Sequence, residues 1–120
     1  MTHPEELLPL TPAVFYILLV LADGERHGYS IMKEVETHSK GQVKMGPGTL
    51  YGSVKRMLAN QLIEETEARA DEDDERRRYY RLTDFGRRVA TAEARRLSSL
   101  VTLAQDKKLL GETFILKGVW

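Results

Sequence analysis

The sequence predicts a mainly α chain with one small β-hairpin and a long helix towards its C-terminal end. Three observations carry that expectation. Ala13 to Ala22 is a continuous apolar run entered by Thr11-Pro12, a capping residue followed by a residue suited to the first helical position. Stretches opening at Gly28 and Pro47 repeat apolar residues at helical spacing. Beyond Leu62, a polar tract from Ala70 to Glu75 separates two extended segments, and a long amphipathic stretch follows from Thr83-Asp84.

A chain of 120 residues is one domain, or one domain with an appended helix. Its 42% hydrophobic and 30% charged residues are those of a globular protein. Cysteine is absent, which removes disulfides and thiolate ligation and suits the expected cytoplasmic location. Met1-Thr2-His3-Pro4-Glu5-Glu6 lacks the basic start of a secretory signal. The run from Ala13 to Ala22 is about half of what crosses a bilayer, so no membrane segment is expected. A net charge of zero argues mildly against nucleic-acid binding. The charges are segregated, however. Glu64, Glu65, Glu67 and Asp71 to Glu75 concentrate acid, and Arg76, Arg77, Arg78 and Arg81 follow at once. The balance hides a basic face.

The first helix has no polar side, and Asp23-Gly24 ends it. A helix apolar all round has to be covered all round, by its own subunit or by another. The small chain favours a second subunit for part of that cover, with Phe15 and Leu19 as contacts. In the second helix, Gly28 to about His38, the apolar stripe is Ile31, Met32 and Val35. The loop from Ser39 to Gly46 exceeds the three or four residues of a tight helix-turn-helix connection, so the motif is an elaborated one. Pro47-Gly48-Thr49 opens the third helix, which runs to about Asn60. Leu50, Val54, Met57, Leu58 and Gln61 fall on one side of it; Gly48, Thr49, Gly52, Lys55, Arg56 and Ala59 fall on the other.

Leu62 to about Arg69 and Arg77 to Leu82 are the expected strands, with Tyr79 and Tyr80 supplying β-propensity. Two strands are marginal alone, so this hairpin has to lean on the helices. Thr83-Asp84 caps the fourth and longest helix, expected to reach Leu110. Phe85, Val89, Ala92, Leu100 and Leu103 form a stripe along it, widened by Leu97 and Ala104. Arg96 interrupts the stripe and Glu93 breaks a strict heptad, which predicts a packing helix instead of a regular coiled coil. Val89, Leu97, Leu100, Leu103 and Ala104 are its expected dimer contacts. The tail from Gly111 to Trp120 carries Phe114, Ile115, Leu116, Val119 and Trp120, and either docks on the dimer or frays.

Three helices, a hairpin and a long helix make a winged helix-turn-helix, with residues 1–82 as a DNA-binding domain and 83–120 as a dimerisation helix and tail. In such readers the third helix enters the major groove with its N-terminal residues at the bases. Its start here offers free backbone N–H groups and a positive dipole end. Gly48, Thr49 and Tyr51 lie there, Lys55 and Arg56 add charge one turn on, and Tyr29 and Lys44 flank them. Thr49 is equally readable as a simple cap, and Tyr51 as an aromatic at the edge of the core. Gly48, Gly52 and Ala59 offer little to a base edge, which predicts modest direct readout. Arg76, Arg77 and Arg78 stand where the wing returns, within reach of a flanking phosphate or minor groove. Their alternative is a solvated run neutralised by Asp71 to Glu75.

Six blocks in order resemble the PadR-like family of transcriptional regulators: Leu10-Thr11-Pro12-Ala13, His27-Gly28-Tyr29-Ser30, Gly48-Thr49-Leu50-Tyr51, Lys55-Arg56-Met57-Leu58, Leu62-Ile63-Glu64, and Arg77 through Gly86. The resemblance implies a prokaryotic winged-helix homodimer that binds double-stranded DNA, commonly as a repressor, with the C-terminal helix forming much of the interface. It also implies a small-molecule effector, although the fourth helix holds no aromatic cage. Gly52 departs from the bulkier residue of the family pattern. An enzyme is not expected: His3, His27 and His38 are scattered, and no metal-ligand spacing recurs. Neither a metal nor a cofactor is expected. The rival reading is a winged helix used only for protein–protein contact.

Overall fold

The computed structural model describes residues 2–66 and 78–111. A short 3-10 turn, Pro4–Leu7, precedes helix α1, Pro12–Leu21, whose N-terminal amide of Val14 donates to the Thr11 hydroxyl at 3.2 Å. Helix α2 is Gly28–His38 and helix α3 is Pro47–Ala59. Strands β2, Ile63–Thr66, and β3, Tyr79–Leu82, pair antiparallel with Ile63 opposite Leu82 and Glu65 opposite Tyr80. Helix α4, Asp84–Asp106, is the last described helix. A third strand, β1, Arg26–His27, lies on the other side of β3 and makes the sheet order β1-β3-β2. Two residues carry no periodicity, so β1 leaves no signal in the sequence. It supplies part of the support that the hairpin needs.

The core is built where α1, α2 and α3 meet the sheet and the first turns of α4. Ile17, Leu18 and Leu21, Ile31 and Val35, Leu50, Val54 and Met57, Leu62, Ile63, Tyr80 and Val89 fill it. Each such side chain contributes roughly 1.5–3 kcal/mol by leaving water. Helix α1 packs against α2, α3, β3 and α4, so its own subunit covers most of it. One side stays open: Leu19 is 43% exposed. Val89, expected at the dimer interface, is 0% exposed within the single subunit. It faces the core because the first turns of α4 lie on the domain, and it has no surface left for a partner.

Three other sequence expectations need correction. Helix α4 ends at Asp106, not Leu110. Gln61 lies beyond α3 and is exposed, because the chain turns left-handed there with φ 60°. The amides of Gln61 and Leu62 donate to the carbonyls of Leu58 and Met57 at 3.0 and 2.9 Å, which is the paired closure of a Schellman turn. A non-glycine residue in that conformation is strained. Replacing Gln61→Gly is expected to raise stability by about 0.5–1 kcal/mol, read as a higher urea midpoint with an unchanged slope.

The third correction concerns Glu93. It breaks a strict heptad in α4, yet its side chain is buried. It accepts the amide of Leu10 at 2.8 Å and the guanidinium of Arg96, and so ties the N-terminal segment to α4. Arg96 holds the Glu93 carboxyl below the usual glutamate range; burial opposes this, and the Leu10 amide adds to it. A carboxyl whose folded pKa lies below its unfolded value contributes stability at neutral pH and loses it as pH falls through the folded pKa. Between pH 7 and the range below about pH 4, the urea midpoint of the native chain should therefore drop further than that of Glu93→Gln. Equal drops would mean that the pair contributes nothing to the acid response.

The junction between the end of α3 and the start of α4 is closely packed. The Leu62 carbonyl accepts the Thr83 amide at 3.1 Å, and the Thr83 hydroxyl donates to the Gln61 carbonyl at 2.6 Å while accepting the Gly86 amide at 2.9 Å. Gly86 is buried directly against this strand of backbone. A Cβ there would overlap the Leu62 carbonyl oxygen and sit 2.8 Å from its carbon.

Candidate nucleic-acid interface

The start of α3 is exposed from Gly46 to Thr49. Gly46 is the capping residue and contributes no side-chain bond. Thr49 is three residues into the helix, so the cap reading of Thr49 does not apply. The first helical bond runs from the Leu50 amide to the Gly46 carbonyl at 3.0 Å. The amides of Gly48 and Thr49 precede that bond and point out of the helix end. A Cβ at Gly48 would meet nothing within 4 Å, and one at Gly52 would meet only the far end of Arg56 at 3.7 Å. Neither glycine is required by packing inside the subunit. The open ground above them suits close approach by a partner's backbone.

Tyr51 bridges two elements. Its ring is exposed on one side, and its hydroxyl lies against Gly28, the buried first residue of α2, where a Cβ would displace it. The start of α2 is thereby held beside the start of α3. Tyr29 is exposed there, with the Lys33 ammonium 5.3 Å from its ring centre. His27 caps α2, its Nδ1 accepting the Ser30 amide at 3.2 Å. Its ring meets Tyr79 edge-on at 5.4 Å between centres, because β1 pairs His27 with Tyr79. Tyr51, Gly28, His27, Tyr79 and Arg78 therefore form one continuous path from α3 to the base of the wing. Burial raises the Tyr80 hydroxyl pKa, with Glu65 and Tyr51 adding to it, so that group stays neutral beneath the path.

Lys44, Lys55 and Arg56 are exposed on the same elements. Arg56 is partly spent, since it donates to the buried Ser53 hydroxyl at 3.3 Å. Ser53, on the buried side of α3, escaped the apolar pattern because its burial depends on this contact and not on hydrophobicity. Arg78 pairs with Glu65 at 2.7 Å, which raises the guanidinium pKa further, and Arg81 pairs with Glu64 at 2.6 Å. The partner of Arg78 is thus a carboxylate on the neighbouring strand. Arg76 and Arg77, the acidic tract Asp71 to Glu75 and the tail from residue 112 onward fall outside the described residues.

On another face, α1 and α4 enclose a groove of about 390 Å³ lined by Phe15, Tyr16, Leu19 and Leu97, with Glu93 and Arg96 beside them. Leu100 and Leu103 continue this apolar side along α4 and are 49% and 52% exposed. Ala104 lies half-buried with them. Among the described residues no helix is long and apolar enough to cross a membrane, and no cluster of side chains could hold a metal ion.

Comparison with known proteins agrees with this architecture. The model of the transcriptional regulator PadR-like family matches residues 17–92. Transcriptional regulator Rv3488 of Mycobacterium tuberculosis is 34% identical over 85 residues, which cover 71% of this chain and 75% of that protein. An uncharacterized 37.1 kDa protein in transposon TN4556 of Streptomyces fradiae is 38% identical over 88 residues, 73% of this chain. The match spans only 24% of that longer relative. Among solved structures, a PadR family transcription regulator from Clostridium difficile superposes with a TM-score of 0.68 at 22% identity, over 80% of this chain and 97% of its own. A PadR-like regulator from Bacillus cereus superposes with a TM-score of 0.65 at 25% identity, over 82% and 92%. The described fold is that of a winged helix with an added C-terminal helix.

Proposed function

This chain belongs to the PadR-like family of transcriptional regulators, and we propose that it binds double-stranded DNA as a homodimer and represses transcription from a palindromic operator. The observation that carries this reading is the start of α3. Two uncapped amides, two glycines with open space above them and the exposed Thr49, Lys55 and Arg56 share one accessible end. Tyr29, Tyr51 and Lys44 border it, and Arg76, Arg77 and Arg78 would extend the contact along the wing. Phe15 and Leu19 of α1 with Leu97, Leu100, Leu103 and Ala104 of α4 would meet a second copy. Release by a small-molecule effector rests on the family likeness alone and is assigned no residues.

A mobility-shift titration with DNA from upstream of its own gene tests the reading. The expected complex weakens steeply as salt rises, by about 10³–10⁵ between 50 and 200 mM if roughly 6–10 phosphates are contacted. Protected half-sites should lie about 34 Å apart, centre to centre. The Arg78–Glu65 and Arg81–Glu64 pairs, which neutralise the base of the wing, favour the rival reading of a protein–protein module. No binding even at low salt would sink the DNA-binding reading and leave the rival standing. Gly52→Ala separates the two further. It should stabilise the fold by about 0.5–1 kcal/mol, as alanine does in a helix interior, and weaken DNA binding by blocking backbone approach. A gain in stability with undiminished binding would place the DNA elsewhere.

A further inference from the structure

We infer that His27 is a positioning residue, whose ring fixes the base of the wing against the start of α3 so that both meet the duplex together. The inference rests on the DNA-binding reading above. Three contacts converge on this side chain and its neighbour. Nδ1 accepts the Ser30 amide at 3.2 Å and caps α2. The ring stands edge-on to Tyr79 of β3, with 5.4 Å between centres and 89° between planes, an arrangement that aromatic pairs favour. Gly28, the next residue, is buried against the Tyr51 hydroxyl of α3. The starts of α2 and α3 and the base of the wing are thus joined through two adjacent residues.

The backbone does not secure this joint alone. Strand β1 has only two residues, with Arg26 opposite Tyr80 and His27 opposite Tyr79, and so short a ladder closes few hydrogen bonds. Arg78, whose side chain is 66% exposed, immediately precedes β3. Any tilt of β3 against α2 therefore moves Arg78 relative to Lys55 and Arg56 on α3. The joint needs a side chain that accepts an amide N–H and also presents an aromatic edge. Asparagine accepts but has no ring, phenylalanine has a ring but no acceptor, and histidine has both. The Tyr29 ring lies parallel to the imidazole at 6.5 Å between centres, so the same group also steadies an exposed aromatic of the interface. Contacts held in place before binding lower the ordering cost of association.

His27→Asn and His27→Phe divide the two properties. In mobility shifts at 0.1 M salt, His27→Asn should bind DNA about 8-fold more weakly, with a salt slope lower by about 0.9, as for one lost phosphate contact. Arg78→Ala should do the same. The double variant should lose no more than about 8-fold, because the contact is already gone, whereas independent losses would multiply to about 60-fold. His27→Phe should recover most of the loss. A residue that only caps α2 predicts the reverse order, with asparagine native-like and phenylalanine impaired. Without DNA, amide exchange at Tyr79 should be several-fold faster in His27→Asn and slowed again in His27→Phe. That measurement separates the inference from the function beneath it. Should the native chain bind no DNA, the function falls, and exchange still decides whether His27 holds the strand. Native affinity with native exchange in His27→Asn would overturn the inference, as would the reversed order of the two variants or losses that multiply.

Discussion

The Lys55→Ala/Arg56→Ala double variant is expected to bind DNA about 60-fold more weakly than the native chain at 0.1 M salt. The figure follows from counterion release. Each phosphate contact contributes about 0.9 to the slope of log affinity against log salt. Removing two lowers that slope by about 1.8, which is a factor of about 60 at 0.1 M relative to 1 M. Both side chains are exposed on α3 one turn or more beyond its open start, and alanine is the better helix former at both positions, so the helix itself should persist. The Ser53 hydroxyl loses its bond from Arg56, a loss of about 0.5–1.5 kcal/mol to be checked by urea denaturation. Phosphate contacts carry little sequence information, so operator and unrelated DNA should weaken alike. Unchanged affinity with an unchanged slope would mean that α3 does not lie on the backbone of the duplex.

Gly86→Ala is expected to cost about 3 kcal/mol of folding stability, towards the upper end for overpacking. The added Cβ would not meet the flexible end of a side chain. It would meet the Leu62 carbonyl, which the Thr83 amide and hydroxyl hold in place. Relief requires α4 to move away from the end of α3, and Val89 and the Glu93–Arg96 pair move with it. A chain of this size should lose roughly 10–15 °C in Tm for such a change. Gly48→Ala is the control, because a Cβ there meets nothing within 4 Å. Helix propensity favours alanine at both positions, so an unchanged or raised Tm in Gly86→Ala, alongside Gly48→Ala, would show that the close approach to Leu62 does not govern the effect.

The same two regions show how far the sequence could be read. Caps at Thr11 and Thr83 and the proline at Pro47 located three helix starts, because those signals are local and depend on one or two side chains. The positions of Leu50, Val54 and Met57 followed from helical spacing and are buried. Glu93 and Ser53 were missed as interior residues. Each is buried only because a distant or neighbouring group satisfies it, Leu10 and Arg96 for one and Arg56 for the other. Strand β1 was missed because two residues have no pattern of their own. Of the candidate interface, the open glycine-rich start of α3 was legible. The pairing of Arg78 with Glu65 and the seating of Tyr51 on Gly28 were not, since both join residues far apart in the chain.

The sequence alone determined the order of the helices and the hairpin, the open glycine-rich start of α3 and the family, through capping, periodicity and six spaced blocks. Tertiary structure decided which surfaces remain for partners. It withdrew Val89 into the core, turned Glu93 from an apparent flaw into a tie, left Leu19, Leu100 and Leu103 uncovered, and paired a wing arginine with an acid across the ladder. The physical reason is the same throughout. Local signals are set by the backbone and its nearest side chains, whereas burial and charge pairing are set by which distant segments come to lie against them.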